Sequence, residues 1–331
     1  MKIIKFIFIT YLLFFNFFNA YADSFQQWKI KFKKYALSQG ISKKTLDETL
    51  SEVKFLPKVI KYDRYQPEFY EDTKTYVSKR TSEEKLKKGK YLFNENSSLI
   101  LNVEKKYNVE KELLLSLMGI ETNFGTYLGK MDILSSLATL SFDKRRSEFF
   151  TNELIIVLKL IDTGVVDSTI LFGSWAGAFG NFQFMPSTIN NYAIDYDNDN
   201  LIDLKSINDS FASAANYLNK LGWKENTPCF YPVELKENVP TKYLNTSAKK
   251  IKNKKKVKYF KNYIKSTNNI KIDENLIAGI ITPDKDIVEN SKLLEPAYLV
   301  FDNYELVLKW NRSLRFALAV CTLKEKFKNE L

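Results

Sequence analysis

A run of leucines that ends in a carboxylate constrains this chain more than any other feature. In Val109-Glu-Lys-Glu-Leu-Leu-Leu-Ser-Leu-Met-Gly-Ile-Glu121, residues Leu113, Leu114, Leu117 and Met118 recur at the spacing of one helix face. Glu121 follows Met118 by three positions and Leu117 by four, so it extends the same stripe. A fold containing this helix must bury the stripe and bring a carboxyl with it. Apolar surroundings disfavour the charged form and raise the pKa, which keeps a general acid protonated near neutrality. A structural glutamate, paired with a buried arginine or capping backbone groups, explains the helix better when it is taken alone. The chain then leaves helical sequence through Thr122-Asn123-Phe124-Gly125, whose glycine suits a C-terminal stop.

Residues 1–22 read as a secretory signal. Lys2 and Lys5 give the basic start, Ile3 to Phe18 is almost wholly apolar, and Ala20-Tyr21-Ala22 supplies the small residues before cleavage. The segment has no cysteine to carry a lipoprotein anchor, so a chain beginning near Asp23 and working outside the cytoplasm is expected. About 309 residues remain, enough for one large domain or two lobes, with no further apolar run long enough for a membrane span. The formal net charge of +11 suits an anionic lipid or cell-wall polymer once the chain is exported, and nucleic acid is not expected. Much of it sits in Lys249–Lys258, a run more often solvated than binding.

Histidine is absent, which removes Ser-His-Asp and Cys-His catalysis and histidine-based zinc sites. Only Cys229 and Cys321 are present; an exported compartment permits a disulfide, yet two lone cysteines leave the pairing open. Chemistry falls to carboxylates, hydroxyls, amides or a metal.

The periodicity predicts helix over 25–56, a connection from Pro57 to Pro67, and helix again over 69–107. Further helices are predicted over Ile133–Leu140, Glu148–Ile161, Pro186–Tyr192 and Ser210–Leu221, with a glycine-rich loop from Gly164 to Gly180. From about 228 to 302 short β-prone pieces dominate, and 303–328 returns to helix. The expected class is α+β, mainly α-helical, with a small strand-rich lobe.

Three more segments carry candidate chemistry. Gly173-Ser-Trp-Ala-Gly-Ala-Phe-Gly-Asn-Phe-Gln-Phe-Met-Pro-Ser187 mixes small residues with aromatic faces and amides, a composition suited to sugars and equally to a tight structural turn. Asp195-Tyr-Asp-Asn-Asp-Asn-Leu-Ile-Asp203 matches an EF-hand-like loop, with Asp195, Asp197, Asp199 and Asp203 as acids and Leu201 offering its carbonyl. Asn200 replaces the usual glycine, and Ser206 stands at the twelfth position in place of the bidentate glutamate. The reading is a weak or structural Ca2+ site over 195–206, with a solvated acidic turn as the alternative. In Leu308–Val320, Trp310 and Asn311 lie directly before a helix, where cleft-lining, core packing and an N-cap by Asn311 all fit.

These pieces occur in one order: Glu121-Thr-Asn-Phe-Gly125, Ala138-Thr-Leu-Ser-Phe142, Arg145-Arg146, Gly173-Ser174 with Gln183-Phe-Met-Pro186, Ala215-Asn-Tyr217, Gly222-Trp223 and Trp310-Asn311. Together, from about residue 25 to 328, they resemble the membrane-bound lytic murein transglycosylase B family. The resemblance implies a lysozyme-like core and cleavage of the β-1,4 bond between N-acetylmuramic acid and N-acetylglucosamine, with a 1,6-anhydro product and no cofactor needed for catalysis. It implies Glu121 as the single acid/base and Ser174, Gln183, Tyr217 and Asn311 as contacts to the sugar. It places Phe184, Met185 and Trp223 in segments that shape the cleft, and Arg145 and Arg146 near the anionic side of the substrate. Trp310 stands where the best-known members carry tyrosine, so stacking survives while any hydrogen bond from that hydroxyl is put in doubt. Peptidoglycan glycan strands are the expected partner, with cell-wall synthesis or division complexes beyond them, and a monomer is expected. An inactive cell-wall-binding scaffold and a hydrolytic muramidase are the rival readings.

Overall fold

The computed structural model describes residues 24–65, 71–267, 271–285, 287–289 and 291–331. The export signal expected over 1–22 lies outside them. The chain divides into two compact units, one taking the N-terminal part to Tyr65 with Leu128–Asn191 and Asn198–Asp203, the other taking 66–127, Tyr192–Asp197 and Leu204–Leu331.

In the first unit the helical stretch expected over 25–56 is two helices, 24–38 and Lys43–Glu52. Gly40, at φ +86°, separates them, and the Ser42 side chain caps the second by accepting from Thr45 N. The connection expected after Pro57 is instead a helix, Pro57–Arg64. Proline sits there at the first turn, where its missing N–H costs nothing and its fixed φ favours the start. The apolar Ile133–Phe142 helix and the longer Ser147–Asp162 helix supply most of the interior. Phe25, Trp28, Phe55 and Phe142 cluster beside them, with Phe25–Phe142 and Phe25–Phe55 ring centroids 5.4 and 5.3 Å apart. Two short strands escape the sequence pattern: β1, Met131–Asp132, pairs antiparallel with β2, Phe172–Gly173.

The second unit is built around two deeply buried helices, Lys111–Thr122 and Leu314–Lys328. Burial of Lys111–Thr122 extends all round from Glu112 to Gly119, wider than the one-faced stripe the sequence implies. The helix expected over 303–328 is two helices, Asp302–Trp310 and Leu314–Lys328. Ser313, not Asn311, caps the second, accepting from Phe316 N at 3.2 Å.

The strand-rich part holds β3 (Phe230–Leu235), β4 (Leu244–Asn245), β5 (Lys255–Lys256), β6 (Ile264–Ser266), β7 (Ile277–Ile281) and β8 (Ala297–Val300). They form a sheet ordered β4-β7-β8-β3-β6 with β5 also on β7; only β4 runs parallel to its neighbour. This sheet has its own core, including Val233, Val257, Phe260, Ile280 and Leu299. Cys229 and Cys321, left open by the sequence, are bonded across 92 residues and tie the start of β3 to the last helix. Buried ion pairs reinforce the unit. Asp284 accepts from Thr73 N at 3.0 Å and from Arg315 Nη2 at 2.9 Å, and Glu110 holds Asn226 N at 3.1 Å and Lys324 at 3.3 Å.

Candidate active site

Glu121 lies in the last turn of Lys111–Thr122, and a left-handed exit fixes that turn. Asn123, Phe124 and Gly125 adopt φ of 50°, 59° and 78°, so the stop begins two residues before the glycine that the sequence singles out. Asn123 N and Phe124 N both return to Met118 O, satisfying a carbonyl the helix would otherwise orphan. Positive φ is costly for a bulky residue, and packing holds it here. The Phe124 ring lies against Gly119, where an added Cβ would stand 2.6 Å from Cζ, and against Gly89, where the distance would be 3.0 Å. Lys85 Nζ reaches in from Glu83–Glu95 to donate to Gly119 O at 2.5 Å and Asn123 Oδ1 at 3.2 Å. A cation at that end also suits the negative pole of the helix. Burial, then repulsion by Lys88 and Arg80, lowers its pKa.

Glu121 itself is half-buried, and the indole Nε1–H of Trp310 donates to its Oε1 at 3.1 Å. Indole is a donor only, so this bond supports the carboxylate form. Residue 310 thus does make a hydrogen bond here, from a ring nitrogen and not from a hydroxyl. Tyr217, from the Ile207–Leu221 helix, packs on Trp310 with centroids 5.2 Å apart, and Tyr192 packs on Tyr217 at 4.4 Å. Burial, with Tyr192 adding, pushes the Tyr217 phenol up, so it stays neutral well above neutral pH. Asn311 follows Trp310 directly, half-buried, with no hydrogen bond to its side-chain amide among the described residues. Glu121, Tyr217 and Trp310 thus form one connected group with Asn311 adjoining it.

In the first unit, Ser174 and Gln183 sit on a tight loop. Ser174 N donates to Ala178 O at 2.8 Å, and its Oγ accepts from Ala178 N at 2.9 Å and Ala176 N at 3.3 Å. Both side-chain bonds use the oxygen as acceptor, which leaves the hydroxyl proton to donate. Gly173 is needed here, since an added Cβ would meet Ala178 O at 2.2 Å. Gln183, at φ 51°, anchors its Nε2 to Gly180 O (2.9 Å) and Leu128 O (3.3 Å), leaving Oε1 without a partner among the described residues. Met185 is half-buried.

Phe184, expected in a cleft-shaping segment, is 3 % exposed, and its backbone pairs with Phe179, so its ring belongs to the interior. Trp223 is likewise buried, its indole donating to Glu110. Arg145 and Arg146 converge on buried Asp63, with Arg145 Nε 2.6 Å from Oδ2 and Arg146 on Oδ1. One negative charge offsets two positive ones, and both guanidinium groups remain partly exposed.

The acidic loop departs from its twelve-residue template. Asn200, at φ 72°, takes the left-handed turn usually given to glycine. Ser206 caps the next helix through Asn208 N at 3.1 Å and offers no carboxylate. Asp209, missed by the template, supplies it: carboxylate oxygens of Asp195, Asp197 and Asp209 lie within 4.8 Å of one another. Asp209 Oδ1 is held by Tyr196 N at 2.8 Å. In the first unit, Leu201 N donates to Asp199 Oδ1 at 2.8 Å and Asp203 is half-buried. An all-oxygen set of this kind suits a hard cation such as Ca2+.

The family described as the Transglycosylase SLT domain matches residues 24–325, and the chain belongs to that family. Membrane-bound lytic murein transglycosylase B of Escherichia coli K12 is 32 % identical over 200 residues, covering 57 % of this chain and 55 % of that protein's own length. Pseudomonas aeruginosa SltB3, solved with NAG-NAM-pentapeptide, superposes with a TM-score of 0.80 at 31 % identity, covering 92 % of this chain and 79 % of that one. The Escherichia coli lytic transglycosylase Slt35 with bulgecin A gives a TM-score of 0.75 at 25 % identity, covering 91 % and 93 %. The fold is thus the mainly helical, lysozyme-like one of these enzymes.

Proposed function

We propose that the protein is an exported peptidoglycan lytic transglycosylase that cleaves the β-1,4 bond between N-acetylmuramic acid and N-acetylglucosamine. The observation that carries this reading is a glutamate at the end of a buried helix, its Oε1 steadied by the Trp310 N–H. Protonated Glu121 donates to the glycosidic oxygen as positive charge develops at the anomeric carbon. The N-acetyl oxygen of the sugar stabilises that cation, a substrate-assisted course that dispenses with a second carboxylate. Glu121, now ionised and supported by the indole, removes the proton of the C6 hydroxyl, which closes on the anomeric carbon as the 1,6-anhydro sugar. An intramolecular nucleophile already in place has a high effective concentration. Beside Glu121, Asn311 offers a free amide to read the sugar and the Tyr192–Tyr217–Trp310 column supplies apolar faces; on the first unit, Ser174 keeps a donor and Gln183 an acceptor of the kind a sugar contact uses.

No cofactor takes part in these steps. Asp195, Asp197 and Asp209 would hold a structural Ca2+, and the similar enzyme Slt35 has been solved in complex with calcium. Periplasmic action follows from the signal expected over 1–22, and no helix among the described residues is long and apolar enough to cross a membrane.

The test is product analysis by mass spectrometry. Purified protein should release fragments ending in 1,6-anhydromuramic acid, and Glu121→Gln should stop release while leaving the circular-dichroism spectrum unchanged. Reducing-end products would make the protein a hydrolytic muramidase, and binding without release a scaffold.

A further inference from the structure

The 35 residues from 238 to 272 contain eleven lysines and no aspartate, glutamate or arginine. The whole chain carries 50 Lys and Arg against 39 Asp and Glu, a net +11. This one segment therefore holds the entire excess, and the rest of the chain is electrically balanced.

The fold keeps that charge together. The segment runs through β4, β5, the short helix Val257–Phe260 and β6, and pins itself to the sheet's core through buried Tyr243, Ile251, Val257 and Phe260. The lysines between these anchors point outward: Lys249, Lys250, Lys252, Lys255, Lys256 and Lys258 are all exposed. Only Lys254 (with Asp302 and Glu305) and Lys261 (with Glu274) have an acidic partner among the described residues. Neighbouring charges closer than a Debye length, about 8 Å at physiological ionic strength, act as one field. Such a field repels itself in the free protein and is relieved by a polyanion. Three tyrosines stand within it. Tyr243 and Tyr259 share a hydroxyl hydrogen bond of 2.7 Å, Tyr263 packs on Tyr259 at 6.1 Å, and the Tyr259 ring is 41 % exposed beside Lys255.

We propose that this lysine–tyrosine surface is a second, non-catalytic contact that binds the carboxylates of the peptidoglycan peptide stems and so holds the enzyme on its insoluble polymer. The proposal rests on the transglycosylase reading, which supplies the polymer. A lipid surface fits less well. Interfacial binding needs an apolar face beside the lysines, yet Tyr259 is the one exposed large apolar side chain among the described residues of the segment, with Ile277 across from Lys256 as an isolated neighbour.

The experiment starts from full-length mature protein carrying Glu121→Gln, so that the polymer is not consumed. It is sedimented with insoluble peptidoglycan at low and moderate salt, beside the same protein with Lys249, Lys250, Lys256 and Lys258 all changed to Gln. The expected result is a drop of about five- to fifty-fold in affinity at low salt, a flatter salt dependence, and the same loss when the polymer's carboxyls are amidated. With Glu121 intact, the lysine variant should act more slowly on insoluble polymer and at the wild-type rate on short soluble glycan fragments. Unchanged sedimentation of the lysine variant overturns the proposal. So does lysine-dependent binding to phosphatidylglycerol vesicles with none to peptidoglycan. If the transglycosylase reading itself fails, Glu121-intact protein releases nothing from either substrate, while the sedimentation comparison still decides the role of the lysines.

Discussion

Gly119→Ala tests whether the turn after the helix sets the position of Glu121. Two effects of this methyl oppose each other. Alanine in a helix interior is favoured over glycine by about 1 kcal/mol. The new Cβ, however, would stand 2.6, 3.1 and 3.2 Å from Cζ, Cε1 and Cε2 of Phe124. Forcing a methylene into a packed site costs about 1–3 kcal/mol. The ring has little room to retreat, because its tip also rests on Gly89 and its backbone is fixed by the return of Phe124 N to Met118 O. The net loss of stability is therefore about 0–2 kcal/mol, a shift of only a few degrees in Tm. Activity should fall further, because the strain is relieved by moving the 123–125 turn, and Glu121 sits two residues from the new methyl. Displacing a catalytic group by about 1 Å can cost around 10²-fold in rate. The assay is kcat for fragment release from peptidoglycan, measured beside thermal unfolding. The double variant Gly119→Ala with Phe124→Leu should recover much of kcat, giving a coupling term that neither single change predicts. A single variant with kcat within twofold of wild type and a lowered Tm would refute the reasoning, showing that the turn packs without positioning the acid.

Three further outcomes follow from named contacts. Trp310→Phe keeps the ring on Tyr217 but removes the donor to Glu121, and should lower kcat about 5- to 30-fold with little change in KM, as expected for a charge-assisted bond of roughly 1–2 kcal/mol. Replacing both Cys229 and Cys321 with Ala opens a 92-residue loop, and urea unfolding should show a loss of up to about 4–5 kcal/mol; a midpoint equal to wild type would mean the bond does not constrain the unfolded chain. Asp209→Asn should weaken Ca2+ binding by calorimetry about tenfold or more and remove any Ca2+-dependent rise in Tm, whereas Ser206→Ala should leave the affinity unchanged.

What the sequence made legible follows the range of the interactions involved. The helix bearing Glu121 is a local pattern, and periodicity finds it. The bond that completes the site joins residues 189 positions apart, and no spacing rule reaches that far. Pro57 reads in the sequence as the start of a connection because a proline signals both a break and a first turn, and only the helix behind it decides between them. Gln183 and Phe184 stand side by side in a motif of cleft residues, yet the left-handed φ of Gln183 turns the chain so that the glutamine amide stays half-exposed and the phenylalanine ring goes inside. A motif fixes residue types, whereas backbone sign fixes which of them faces outward. Asp209 shows the same limit in another form. A template counted from Asp195 ends at Ser206, but Ser206 starts a helix, and the first turn of that helix carries Asp209 back toward Asp195 and Asp197. The carboxylate that joins Asp195 and Asp197 lies one helical turn past the place where a loop-based count stops. Its signal was present in the sequence as an acid three residues after an N-cap serine, a spacing that belongs to helix starts and not to metal loops.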